Sequence, residues 1–227
     1  MKISAIPKEL EGLDLEGFVS GKGISDSVTK NVDRIDFFRK KIRKFFSPTR
    51  TINRNHTSYE MKHKFLDYLK ATNESVQFID NGVFIYAMYL EGYKIEAINK
   101  NAYFNINSKD FDVLANAPKI LQKLKAKDEY SVQSMVDFIP NYQMKYKYNI
   151  KYIIDSKFEL EPKLKKLVIP YLSKELGIDK DELRFYTKLV YSDDHKIEEA
   201  SLEKLANIIE IESSELVNSP NSTTNKK

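Results

Sequence analysis

The sequence predicts a mostly α-helical protein, with a helical central domain that holds one small β element and a helical C-terminal unit. Three observations carry that expectation. Apolar residues recur three and four positions apart along most of the chain, the spacing of one helix face. Only 7 Gly and 7 Pro occur in 227 residues, little material for a turn-dense β-sandwich or a Gly-rich architecture. Finally, 41% hydrophobic residues, with 13 Phe and 14 Tyr, supply a core for one or two globular domains.

Residues 1–30 mix Gly, Ser and charges with few large apolar groups and read as a loosely ordered, flexible arm. A helix over 31–46 follows: Ile35, Phe38, Ile42 and Phe45 form one stripe, with Lys40, Lys41, Arg43 and Lys44 largely off it. Pro48 ends it, since proline lacks the amide donor. Beyond a polar stretch, Thr57 is positioned as an N-cap for a helix running to about Leu69. Residues 76–80 (VQFID) read as a short strand, and Asn81-Gly82 as a turn or cap before an apolar helix closed near Gly92. Residues 102–106 (AYFNI) read as a second short strand, and the helix after it is expected to break at Pro118. Residues 141–154 alternate as a strand and also fit helical spacing; the lack of long partner strands favours a helix. Thereafter come helices over 167–176, 180–191 and the stretch after Ser201, with Ser201 and Ser213 or Ser214 as N-caps. The domains expected are thus 1–30 (arm), 31–155 (central), 160–217 (C-terminal helical) and 218–227 (disordered tail).

Zero Cys excludes disulfides, thiolate metal sites and thiol nucleophiles. An apolar leader and an 18-residue apolar run are both missing, so the expected location is the cytoplasm of a bacterial host, with no membrane span. The net charge is +4, but its distribution is uneven. Residues 34–54 carry eight basic side chains and one acidic one, Asp36, whereas residues 193–215 carry eight acidic ones against Lys196 and Lys204. Such asymmetry points to an anionic partner for the early segment or to docking between the chain's own halves.

Motifs of hydrolases, P-loops, dinucleotide sites and zincins are missing. His56 and His63 stand seven positions apart, about 10 Å along a helix, too far for one metal shell. The pairs Asp193-Asp194 and Glu198-Glu199 fit a solvated face or a helix start. No enzyme activity, catalytic residue, metal or cofactor is therefore expected. One polar constellation stands out, because Tyr59, Lys62 and His63 share a helix face at three- and four-residue spacing.

For nucleic acid, the expected contacts are Arg39, Lys40, Lys41, Arg43, Lys44, Arg50 and Arg54, since cationic side chains displace counterions from phosphates. A helix, a Gly177-Ile178-Asp179 turn and a second helix have helix–turn–helix spacing, and add Lys180, Arg184 and Lys188. The stretch ASLEKLANIIEIESSELV resembles the closing helices of phage-repressor-type helix–turn–helix domains, although the first half of such a domain is not recognisable and this region is acidic.

A second resemblance covers about 55 residues. Ser58, Tyr59, Lys62 and His63, then Asn81, Gly82, Phe84 and Ile85, then Gly92, Tyr93, Phe104 and Asn105 form a pattern S-Y-x-x-K-H … N-G-x-F-I … N-x-x-F-N. That pattern resembles a group of uncharacterised proteins from phages and bacterial mobile elements. It implies a mobile-element context and assigns no residue a role. The functional expectation is a non-enzymatic accessory or regulatory protein that binds nucleic acid, DNA before RNA. The alternative is a protein-binding module, a host-factor inhibitor or virion component, acting through its acidic C-terminal and Tyr-rich surfaces.

Overall fold

The structure, a computed structural model, describes residues 8–21, 23–75, 78–126, 146–190 and 192–217. It is mostly helical, with small antiparallel sheets. Two compact units divide it, residues 1–115 and 116–227.

In the first unit, a 3₁₀ turn (Lys8–Leu10) leads into a hairpin of β1 (Leu13–Asp14) and β2 (Gly17–Phe18), then the short α1 (Asp26–Thr29). The loosely ordered arm expected for 1–30 is thus corrected over residues 8–21 and 23–30. Leu10, Leu13 and Val28 are fully buried, and that apolar anchoring outweighs a composition rich in Gly and Ser. Helix α2 (Val32–Phe45) buries Ile35, Phe38, Ile42 and Phe45, the stripe that its spacing predicts. Helix α3 (Ser58–Ala71) starts where Thr57 accepts a hydrogen bond from the Glu60 amide. Helix α4 (Asn81–Leu90) is buried almost all round, as a helix with apolar residues on every face must be. Its Phe84 ring meets Phe38, Phe65 and Phe104 at centroid separations of 6.3, 5.8 and 6.2 Å, an edge-biased aromatic hub at the centre of the core.

The sheet beside this hub has the order β3 (Pro48–Asn53), β5 (Asn101–Ile106), β4 (Ile95–Ile98), antiparallel throughout. Strand β5 follows the sequence expectation; β3 does not. The polar stretch after Pro48 forms an edge strand with a register shift against β5. Its mostly solvated side chains leave no apolar alternation to read. Conversely, residues 78–80 form no strand, and Val76 and Gln77 lie outside the described residues. That segment instead ends at the N-cap of α4.

Helix α5 (Ser108–Lys125) runs unbroken through Pro118, correcting the expected break. Proline removes one amide donor and disturbs the carbonyl four residues earlier, a local cost that flanking burial of Leu114, Ala117, Ile120 and Leu121 outweighs.

The second unit holds α6 (Ile150–Lys157), α7 (Pro162–Leu176), α8 (Lys180–Tyr186), α9 (Glu199–Ile209) and α10 (Ser213–Leu216). The helix expected over 141–154 is corrected at 146–149. Tyr148 forms an isolated bridge with Val217, and the Asn149 amide donates to the Leu216 carbonyl at 2.9 Å. Residues 141–145 and the tail 218–227 lie outside the described residues. Two expected caps also move. Glu198 precedes α9 in place of Ser201, and Glu212 caps α10 through a reciprocal capping box with Glu215, in place of Ser213. The Glu212 carboxylate serves an exposed amide as a serine would, whereas Glu198 makes no side-chain cap bond and adds only its charge near the helix dipole.

A candidate polar cavity beside a paired basic helix

Helix α2 presents its basic side chains largely to carboxylates of its own unit. Arg34 Nη1 lies 3.0 Å from Asp80 Oδ2, and Lys41 Nζ 2.5 Å from Glu74 Oε2. Glu91, whose side chain is 8% exposed, receives both Arg39 Nε and Arg43 Nη1 at 2.7 Å. Asp36 adds a contact at 3.3 Å to Arg39. Lys44 Nζ donates to the Tyr68 hydroxyl at 2.9 Å. Further on, Arg54 forms a two-pronged pair with Glu96 at 2.7 and 2.6 Å. These pairs raise the pKa of Arg39 and Arg54 and lower that of Glu96, chiefly through the hydrogen bonds themselves. Among the described residues, only Lys40 and Arg50 of the seven early cations show no such partner; both are exposed.

The helix–turn–helix spacing does appear as two helices about a turn. Gly177 takes φ 74° and closes α7, and the Asp179 side chain caps α8 by accepting from the amides of Asp181 and Glu182. However, α8 spans seven residues and opens with two acidic side chains. Arg184 is paired with Asp181 at 2.9 Å, and Tyr186 donates to Glu182 at 2.7 Å. Lys180 and Lys188 are exposed; Lys188 shows no partner among the described residues, and Lys180 has the charge of neighbouring Asp179.

Tyr59, Lys62 and His63 do converge. Tyr59 and His63 meet edge to face with centroids 4.4 Å apart, and Lys62 Nζ stands 4.9 Å from the Tyr59 ring centroid. Phe78 closes the other side, 5.2 Å from the same nitrogen. Lys62 is only 5% exposed; its Nζ donates to the Ile79 carbonyl at 3.1 Å. Burial depresses its pKa, opposed by the nearby charge of Asp80. His63 Nε2 and Asn81 Oδ1 are buried with no hydrogen-bond partner. His56 stands apart, stacked on Phe111 at 3.7 Å. Among the described residues no group of three or more metal-ligating side chains assembles.

Two cavities flank Phe78, which is 67% exposed. On one side lies a polar cavity of about 330 Å³ bounded by Lys62, Tyr59, Asp80, Asn81, Lys100 and Glu16. On the other lies a groove of about 420 Å³ lined by Phe37, Phe38 and Leu69 together with the charged Asp33, Arg34 and Glu74. The polar cavity's remote wall comes from the first hairpin and the β4–β5 turn. Asn81 Nδ2 donates to the Lys100 carbonyl at 3.0 Å and to Asn101 Oδ1 at 3.1 Å, tying that turn to the start of α4. Sequence reasoning found the helix face of this cavity but missed Phe78, which it placed in a strand, and Lys100 and Asn101, whose approach depends on the sheet.

Comparison with family models, with curated proteins and with solved structures found no match.

Proposed function

We propose that this protein is a non-enzymatic protein-binding module, acting in a phage or mobile-element setting on a host or virion protein, and that its contact surface is the aromatic groove beside Phe78. The observation that carries this reading is the exposed Phe78 ring beside the cavity walled by Phe37, Phe38 and Leu69. Large exposed aromatics next to a concave apolar surface are a recurring feature of docking sites. The occupant that suits it is a partner side chain that is large and apolar, flanked by a basic residue. Asp33, exposed at the groove edge, has no cationic partner among the described residues, whereas Arg34 is held by Asp80 and Lys41 by Glu74. The internal pairing of α2 weakens the nucleic-acid reading, which retains Lys40, Arg50, Lys180 and Lys188 as its support.

A random peptide library selected on the full chain tests the proposal. Enriched peptides are expected to share a bulky apolar residue next to Lys or Arg, and to lose binding to a Phe78→Ala variant whose circular dichroism is unchanged. Peptides without such an anchor, or binding indifferent to Phe78→Ala, overturn it, and a low-salt electrophoretic shift that ignores Phe78 but responds to Lys40 and Arg50 reinstates nucleic acid.

A further inference from the structure

We infer that the polar cavity around Lys62 is a binding site for a small monocarboxylate with a flat apolar body. Charge pairing inside the cavity singles out Lys62. Its two carboxylates are already matched: Asp80 by Arg34 at 3.0 Å and Glu16 by Lys100 at 2.6 Å. Lys62 is the remaining cation: the charge of Asp80 acts on it from beyond ion-pair distance, and no carboxylate of the described residues lies within that distance. A lysine this deeply buried normally has an anionic partner, since an uncompensated charge in a low-dielectric setting is costly. Here the ammonium has one carbonyl, from Ile79, and two ring faces. An ammonium has three donors, so hydrogens remain for a ligand on the cavity side.

The charge and shape of the cavity select the ligand class. One negative charge balances Lys62; a dianion brings a surplus charge beside Asp80 and Glu16. The rings of Tyr59 and Phe78, residues 53% and 67% exposed, flank the ammonium at 4.9 and 5.2 Å and keep much of their surface open to a ligand. Flat apolar ligands gain contact area against such rings beyond what the ion pair supplies. A volume of about 330 Å³ sits at the small end of ligand cavities and suits a small ligand. This site shares Phe78 with the groove walled by Phe37 and Leu69 but otherwise has its own lining, so Lys62 and Tyr59 probe it without touching that groove.

Titration of the full chain with benzoate, benzamide and inorganic phosphate, read by calorimetry and by nuclear magnetic resonance of the Lys62 side chain, decides the matter. Benzoate is expected to bind saturably at one site and to perturb the Lys62 resonances. Benzamide, the same size without the charge, is expected to bind at least about tenfold more weakly, the loss of one charge-assisted hydrogen bond. Folded Lys62→Met is expected to lose benzoate binding. Should that variant fail to fold, Tyr59→Ala, an exposed position, is expected to weaken benzoate several-fold. Absence of saturable benzoate binding, equal affinity for benzamide, stronger binding of phosphate, or indifference to these substitutions overturns the assignment.

Discussion

At Gly82 and Gly17 the backbone of one element touches that of another with no room for a side chain. A Cβ on Gly82 would stand 1.8 Å from the Asp14 carbonyl oxygen, and one on Gly17, at φ 114°, 1.8 Å from the Lys100 carbonyl oxygen. These approaches seat the first hairpin on the start of α4 and on the β4–β5 turn, which together make the far wall of the Lys62 cavity. The obstructing atoms are backbone, so they cannot swing aside. Gly82→Ala is therefore expected to destabilise the protein by about 1–3 kcal/mol or more, read as a lower midpoint in urea. At Gly92, also at positive φ, the added Cβ would meet open space, so only the backbone conformation is penalised there. Tyr93 makes a different residue-scale prediction. Burial, with the charges of Asp110 and Glu91, pushes its hydroxyl up to about 12 from 10.0; the hydroxyl donates to the Phe46 carbonyl at 2.8 Å. The unfolded chain releases this proton at lower pH than the folded one. Stability from Tyr93 is thus full below pH 10.0 and falls as pH rises toward about 12. Denaturation series across that window are expected to show a shallower decline for Tyr93→Phe than for the parent. Tyr171, also pushed upward by burial, leaves a residual slope in both. Equal slopes would remove Tyr93 from the account.

The elements differ in how plainly the sequence announces them, and the reason is where their stabilising contacts come from. Helix α2 is legible because its apolar stripe and its stop are local: Ile35, Phe38, Ile42 and Phe45 repeat with the helical period, and Pro48 follows within three residues of its end. Thr57 is legible for the same reason, since a cap and the amide it serves are three residues apart. Strand β3 is not, because its pairing with β5 lies some fifty residues away and its outward side chains carry no alternation. The cap positions of α9 and α10 are missed by a narrow margin: carboxylates and serines compete for the same role, and both kinds stand side by side at Glu198 to Ser201 and Glu212 to Ser213. The candidate site divides along the same line. Tyr59, Lys62 and His63 share one turn of α3, so their spacing alone brings them together. Glu91, which takes two arginines out of the basic face, is 52 and 48 positions from them. Composition marks those arginines as cations, and only tertiary structure reveals that they are occupied. Periodicity reports on one element's face; it carries no information about which distant carboxylate will arrive there.

For the molecule as a whole, the net charge of +4 is a poor guide to polyanion affinity, because what counts is how many cations can exchange a counterion for a phosphate. Of the ten basic residues expected as nucleic-acid contacts, Arg39, Lys41, Arg43, Arg54 and Arg184 are held by carboxylates and Lys44 by the Tyr68 hydroxyl. Within the first unit that leaves Lys40 and Arg50 among the described residues. Each phosphate contact adds about 0.9 to the negative slope of log affinity against log salt on duplex DNA. Two contacts from the first unit therefore contribute roughly −2 to the slope, and Lys180 and Lys188 add at most about as much again, a weak interaction readily abolished near physiological ionic strength. Glu91→Gln supplies the complementary experiment, since it removes the negative charge shared by Arg39 and Arg43 while keeping the side chain's shape. If pairing is what silences α2, this variant is expected to bind DNA more tightly at low salt and to steepen the slope by about one to two units. Filter-binding or fluorescence titrations over a salt series measure both. A parent slope steeper than about −5, unchanged by Glu91→Gln, would mean that phosphates displace the carboxylates on contact. In that event the basic helix would resume its expected role, and the groove at Phe78 would lose its claim as the principal contact surface.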